Sequence, residues 1–126
     1  MKRIWIALAV AALVFGGAAW EISFVSRSVD EQTSRIERID RLFQNGDTDG
    51  AARACAELEE DWSCTARAMD SLLIHDYVDG IGNSFARMRR YLENGSRAHY
   101  FAESAYTKKA LASIKESEYP FFENIL

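Results

Sequence analysis

The apolar positions change character along the chain. Ile4 to Trp20 is seventeen residues without a charge, and Ile22, Phe24 and Val25 extend the run past Glu21. From there the apolar residues become periodic. Ile22, Val25, Val29, Ile36, Ile39 and Phe43 recur at spacings of three and four, with Gln32 in the vacant place. That heptad-like stripe predicts a helix over 22–43, continuous with the apolar run. Ala51, Cys55, Leu58, Trp62 and Met69 form a second stripe, with Thr65 or Ala66 between. The third is the clearest: Ile74, Val78, Ile81, Phe85, Met88 and Leu92, spaced 4, 3, 4, 3, 4. Residues 97–116 have helical composition but a blurred stripe around Phe101, Ala105, Leu111 and Ile114. No stretch alternates with the period of two that a half-buried strand needs.

The breaks between stripes are chemically legible. Asn45-Gly46 and Asn94-Gly95 supply residues that accept the left-handed conformation of a helix C-terminus. Asp47, Thr48 or Asp49 can cap the second helix and Ser96 the fourth. The two elbows, 49 residues apart, are a faint echo only; a helical-repeat solenoid would show a period near 34 and about three copies. Pro120 stops the fourth helix, leaving the apolar tail 119–126. The expected fold is all-α, an N-terminal transmembrane helix leading into an antiparallel bundle of three to four helices. Residues 1–25 are the anchor and 26–126 the bundle.

The N-terminal run has two readings. Ile4 to Val25 is long enough to cross ~30 Å of hydrocarbon, and Trp5 and Trp20 stand near its ends as interfacial aromatics do. Gly17-Ala18-Ala19 also resembles a signal-peptidase site, which would release a secreted product cleaved near Ala19. The helical pattern that starts immediately afterwards, without a flexible polar spacer, favours the anchor. Lys2-Arg3 before the run keeps the N-terminus cytoplasmic by the positive-inside rule, so the bundle is expected outside. Charge sharpens this picture. The chain is −4 overall, but residues 1–20 hold only Lys2 and Arg3, so the remainder carries 13 basic and 19 acidic side chains, a net of −6. That balance argues against nucleic acid or an anionic lipid surface as partner of the bundle.

The candidates for chemistry are few. Asn45 to Gly50 resembles the start of a calcium loop, but the position that needs a bidentate Glu is Ala56. Cys55 and Cys64 lie nine residues apart on one helix, about 13.5 Å, too far for a disulfide. Cys55 falls on the apolar stripe and Cys64 away from it. His75 and Asp79 are an i, i+4 pair that could supply two zinc ligands, with no third placed beside them; a local polar pair is the plainer reading. Glu57, Glu59, Glu60 and Asp61 read as a solvated face. No nucleophile with a paired base and no phosphate-cradling loop occurs, so no enzyme, metal or cofactor is expected.

Leu58-Glu59-Glu60-Asp61-Trp62, Leu73-Ile74-His75, Asp79-x-Ile81, Ser84-x-x-Arg87, Tyr91-Leu92-Glu93 and the closing Asn124-Ile125-Leu126 resemble the domain of unknown function 4363 family. Its members are small membrane-anchored helical proteins of spore-forming Firmicutes. The resemblance implies location and architecture, and no reaction. It groups Trp62, His75, Asp79, Ser84 and Arg87 as one shared feature, a buried polar brace or a docking surface. Tyr77, Gly80 and Gly82 depart from the family's pattern, and two glycines at about 1 kcal/mol each weigh against a straight third helix. The expected function is a membrane-anchored, extracytoplasmic interaction or accessory module that partners another membrane or envelope protein. Two alternatives are a small metal- or thiol-dependent enzyme around His75, Asp79 and Cys64, and a coiled coil that self-associates through the 22–43 stripe.

Overall fold

The computed structural model describes residues 1–69 and 75–117, the side chains of Met69 and His75 excepted. Four helices account for nearly all of them: α1 (Lys2–Gln44), α2 (Thr48–Met69), α3 (His75–Glu93) and α4 (Arg97–Ser117). No strand occurs among the described residues. Ile74, Pro120 and the tail 119–126 lie outside them.

Both elbows close in the same way. In each, Gly takes a positive φ, +85° at Gly46 and +65° at Gly95. The amide of Asp47 then bonds the carbonyl of Leu42 at 2.9 Å, and that of Gly46 the carbonyl of Phe43 at 3.2 Å. Ser96 to Tyr91 (2.9 Å) and Gly95 to Leu92 (3.2 Å) repeat the pattern. This Schellman geometry satisfies carbonyls that a helix end otherwise leaves bare. Asp47 is the cap of α2, its Oδ1 accepting from the Gly50 amide at 2.9 Å. A side chain at position 50 would collide with that carboxylate, so Gly50 makes room for it.

Tight elbows force antiparallel neighbours, and the helices form a ring in the order α1, α2, α3, α4 and back to α1. An ion pair crosses every seam: Arg35–Asp61 (2.8 Å), Arg89–Glu59 (2.7 Å), Arg87–Glu103 (2.7 Å) and, between α4 and α1, Lys115–Asp30 (2.8 Å) with Lys108–Asp40 (2.9 Å). The solvent-exposed pairs among them contribute about 0–1 kcal/mol each; Asp40 is buried. The core does the holding. Val25, Val29, Ile36, Ile39 and Phe43 meet Leu58, Trp62, Phe85, Met88, Leu92, Tyr100 and Leu111, all under 5% exposed. Each large side chain buried in this way is worth about 1.5–3 kcal/mol.

Three sequence expectations change. The 22–43 stripe is spent inside the chain from Val25 to Phe43, so it is not free to form a coiled coil with a second copy. The seam of α4 is Tyr100, Ser104, Thr107, Leu111 and Ile114; Ala105 faces solvent and Phe101 is only half-buried. The blur arose because Ser104 and Thr107 occupy core positions. Finally, α3 runs unbroken through Gly80 and Gly82, because packing outweighs a propensity deficit of this size.

The ring has two ends. One holds both elbows. At the other, α2 ends, α3 begins and α4 ends, and from it the first half of α1 projects. Residues 2–20 of α1 are exposed apart from half-buried Ala11, with Trp5 71%, Leu13 76% and Trp20 62% exposed. Among the described residues, α1 is the one helix long and apolar enough to cross a membrane.

Candidate functional site

The residues grouped by resemblance divide between the two flanks of α3. On the α2 side, Trp62 is buried and its Nε1 donates to the carbonyl of Val78 at 3.2 Å. Gly82 faces the indole: a Cβ there would lie in van der Waals contact, 3.4 Å from Cδ1. The indole also packs edge-on against Phe85, centroids 5.7 Å apart. Beside it opens a polar groove of about 490 Å³ bordered by Glu59, Ser63, Asp79, Gly82 and Asn83. Asp79 is exposed.

On the α4 side, Arg87 donates to Glu103 Oε1 from Nε at 3.0 Å and from a terminal nitrogen at 2.7 Å, and to Ser84 Oγ at 3.0 Å. Ser84 is fully buried, so its hydroxyl reaches out of the core to meet the guanidinium. Glu103 holds the Arg87 pKa above its ordinary value by accepting these bonds. Trp62 with Asp79 and Ser84 with Arg87 are therefore two separate features, one lining a groove and one bracing a seam. The side chain of His75 lies outside the described residues. Among those residues, no three His, Cys, Asp or Glu side chains converge on a point that could hold a metal.

Neither cysteine is bonded. Cys55 is buried against the Phe85 carbonyl, with Sγ to O at 3.7 Å, and burial, assisted by Glu59, pushes its thiol up to about 12. A thiol so protonated is a core residue rather than a nucleophile. Cys64 is exposed, with Arg67 3.6 Å from its sulfur.

The densest polar chemistry lies elsewhere, and the sequence reading missed it. Asp40 of α1 is 8% exposed. Its Oδ1 accepts from Tyr100 Oη and Ser104 Oγ, both at 2.8 Å, and its Oδ2 from Lys108 Nζ at 2.9 Å. Burial, then the hydrogen bond to Asp40, drives the Tyr100 pKa far above its ordinary value. Close by, the Arg97 guanidinium donates to the Phe43 carbonyl at 3.2 Å and lies over the Phe43 and Phe101 rings at 5.2 and 5.4 Å. Together these fasten α4 to α1. A signal existed: Tyr100, Ser104 and Lys108 recur at i, i+4, i+8, and Asp40 adjoins Ile39 on the stripe. Every acceptor of this carboxylate is engaged by the chain itself, so the cluster reads as a brace.

The α3–α4 flank also carries a second groove of about 490 Å³, mainly apolar, between the first turns of α3 and the last turns of α4.

The family described as domain of unknown function (DUF4363) matches residues 19–125. No curated protein and no solved structure matches the chain. The match covers most of the chain, the whole bundle included, and starts at the C-terminal end of the exposed apolar segment of α1.

Proposed function

The chain belongs to the DUF4363 family, and we propose that it is a membrane-anchored, non-enzymatic helical module that presents its bundle outside the cytoplasm to another membrane or envelope protein. One observation carries this reading. The exposed apolar segment 2–20 and the first helix of the bundle are a single uninterrupted helix. Its charge-free run, the seventeen residues Ile4 to Trp20, rises about 26 Å, and Ile22, Phe24 and Val25 extend it towards the ~30 Å of a hydrocarbon core. Trp5 and Trp20 mark its ends, and Lys2-Arg3 favour a cytoplasmic N-terminus. A helix without a hinge fixes the bundle's height and tilt over the bilayer, as suits a scaffold that meets one partner in one geometry. Engagement of Asp40, Arg87 and Cys55 in internal contacts supports the non-enzymatic role.

The test has two steps. Intact mass of the membrane-associated protein should include residues 1–19, and a mass beginning after Ala19 would remove the anchor. Crosslinking in native membranes through surface lysines should then capture a discrete partner. Recovery of monomer alone at saturating crosslinker would defeat the partner reading.

A further inference from the structure

The charge of the bundle is divided unequally between its helices. α2 carries five acidic and two basic side chains, a net of −3, whereas α4 carries four basic and two acidic, a net of +2. The two stand at opposite corners of the ring, each in contact with α1 and α3. The chain therefore presents an acidic helix on one side and a basic helix on the other.

Their outward residues match position by position. On α2, Ala56, Glu60, Ser63 and Arg67 follow at spacings of 4, 3 and 4; on α4, Ala105, Lys109, Ala112 and Glu116 do the same. Such spacing lines side chains up on one helix face, and all eight are exposed. Counted from the first residue of each helix, both sets are positions nine, thirteen, sixteen and twenty. Glu60 is thus opposite in sign to Lys109 at position thirteen, and Arg67 to Glu116 at position twenty. Among the described residues, none of these four charges has an ion pair within the chain. Arg67 lies along its own helix, on the Ser63 carbonyl at 3.2 Å and the Cys64 sulfur at 3.6 Å. Ala56, Ser63, Ala105 and Ala112 between the charges are small enough for two helices to approach closely.

Equal positions also lie at nearly equal height. Arg35 of α1 meets Asp61, the fourteenth residue of α2. On either side of Arg35, Asp30 and Asp40 meet Lys115 and Lys108, the nineteenth and twelfth residues of α4. Two copies standing side by side at one depth therefore bring Glu60 to Lys109 and Arg67 to Glu116 without sliding.

We propose that a second copy of this chain is a partner of the bundle, with α2 of one anchored copy packed beside α4 of the next, parallel and in register. The contact joins two different faces, so it repeats into a row or closes into a ring about an axis normal to the bilayer, and does not stop at a two-fold dimer. Exposed charge pairs are individually weak; their opposite signs select the partner face and set its register. The inference rests on the anchored reading, which gives all copies one orientation and one depth.

The test is oxidative crosslinking of the full chain in native membranes. Cys64→Ser removes the exposed native thiol, and Ser63→Cys with Ala112→Cys places one thiol at position sixteen of each face. The chain bearing both new cysteines should give a ladder of dimers and larger species in non-reducing electrophoresis, and a chain bearing either alone should stay monomeric. Adding Glu60→Lys or Lys109→Glu should abolish the ladder, and adding both should restore it, with helicity by circular dichroism unchanged throughout. A ladder from a chain with one cysteine overturns the proposal by making the contact two-fold. A ladder indifferent to the single charge reversals, or not recovered when they are combined, overturns it as well. Monomer alone in the membrane pellet overturns the contact and leaves the anchor standing, whereas recovery of the chain in the soluble fraction overturns both.

Discussion

The two halves of α1 share one backbone and little else. Residues 4–20 are apolar on every face and almost wholly exposed, while 25–43 are half polar yet send Val25, Val29, Ile36, Ile39 and Phe43 into the core. The half with more hydrophobic residues thus contributes least to the bundle. What builds a core is the periodic placement of apolar groups on one face; what suits a bilayer is their presence on all faces. The packed half also contains two buried polar residues with opposite fates. Asp40 is satisfied by three donors, whereas Gln32, 3% exposed, has an Oε1 with no hydrogen-bond partner among the described residues.

If the halves are separable, removing 2–20 should have the largest effect on location and little on folding. The shortened protein should leave the membrane pellet for the soluble fraction and unfold within a few degrees of the parent. Loss of cooperative unfolding would mean that the apolar half supports the bundle after all. The reciprocal change is Ile36→Ala, expected to cost about 3 kcal/mol in chemical denaturation while fractionation with membranes is unchanged. Leu13→Ala should leave bundle stability unaltered.

Alkali acts on the packed side alone. Cys55 is held protonated in the fold, up to about 12 from an ordinary 9.0, so the folded state keeps a proton that the unfolded chain releases. Stability is then full below pH 9 and falls as pH rises from 9 towards 12, the sign required when the native state binds more protons. Tyr100 adds to the loss in the same direction. Denaturant titrations across that window should show the decline, and Cys55→Ala should flatten it. Smaller effects separate the two buried polar groups. Asp40→Ala strands the Tyr100, Ser104 and Lys108 donors and should cost about 2 kcal/mol, whereas Gln32→Leu removes an unpaired acceptor and should gain about 1 kcal/mol, both read from unfolding midpoints.

The sequence made the helices legible wherever an apolar stripe and an Asn-Gly break coincided. α1, α2 and α3 run as their stripes predicted, and both elbows turn at Gly46 and Gly95. It was less legible where the core uses polar atoms. Ser104 and Thr107 are fully buried, so a count of apolar residues displaced the α4 seam onto Ala105. Asp40 escaped notice for the same reason: a carboxylate beside an apolar stripe is ordinarily solvated, and only the partners on α4, 60 or more residues away, make it a core residue. Trp62, Asp79, Ser84 and Arg87 were visible as residue types, but their division between two flanks of α3 depends on which helices lie on either side.

Cys64 provides the most direct test of the central claim, that α1 holds the bundle on the outer side of a membrane. It is the exposed cysteine of the pair, and Cys55 is fully buried, so the native chain carries a single accessible reporter. Intact cells treated with a membrane-impermeant maleimide after mild reduction should incorporate one label, at Cys64, with Cys55 reacting only after denaturation. Labelling that requires disruption of the membrane would place the bundle inside and contradict the account.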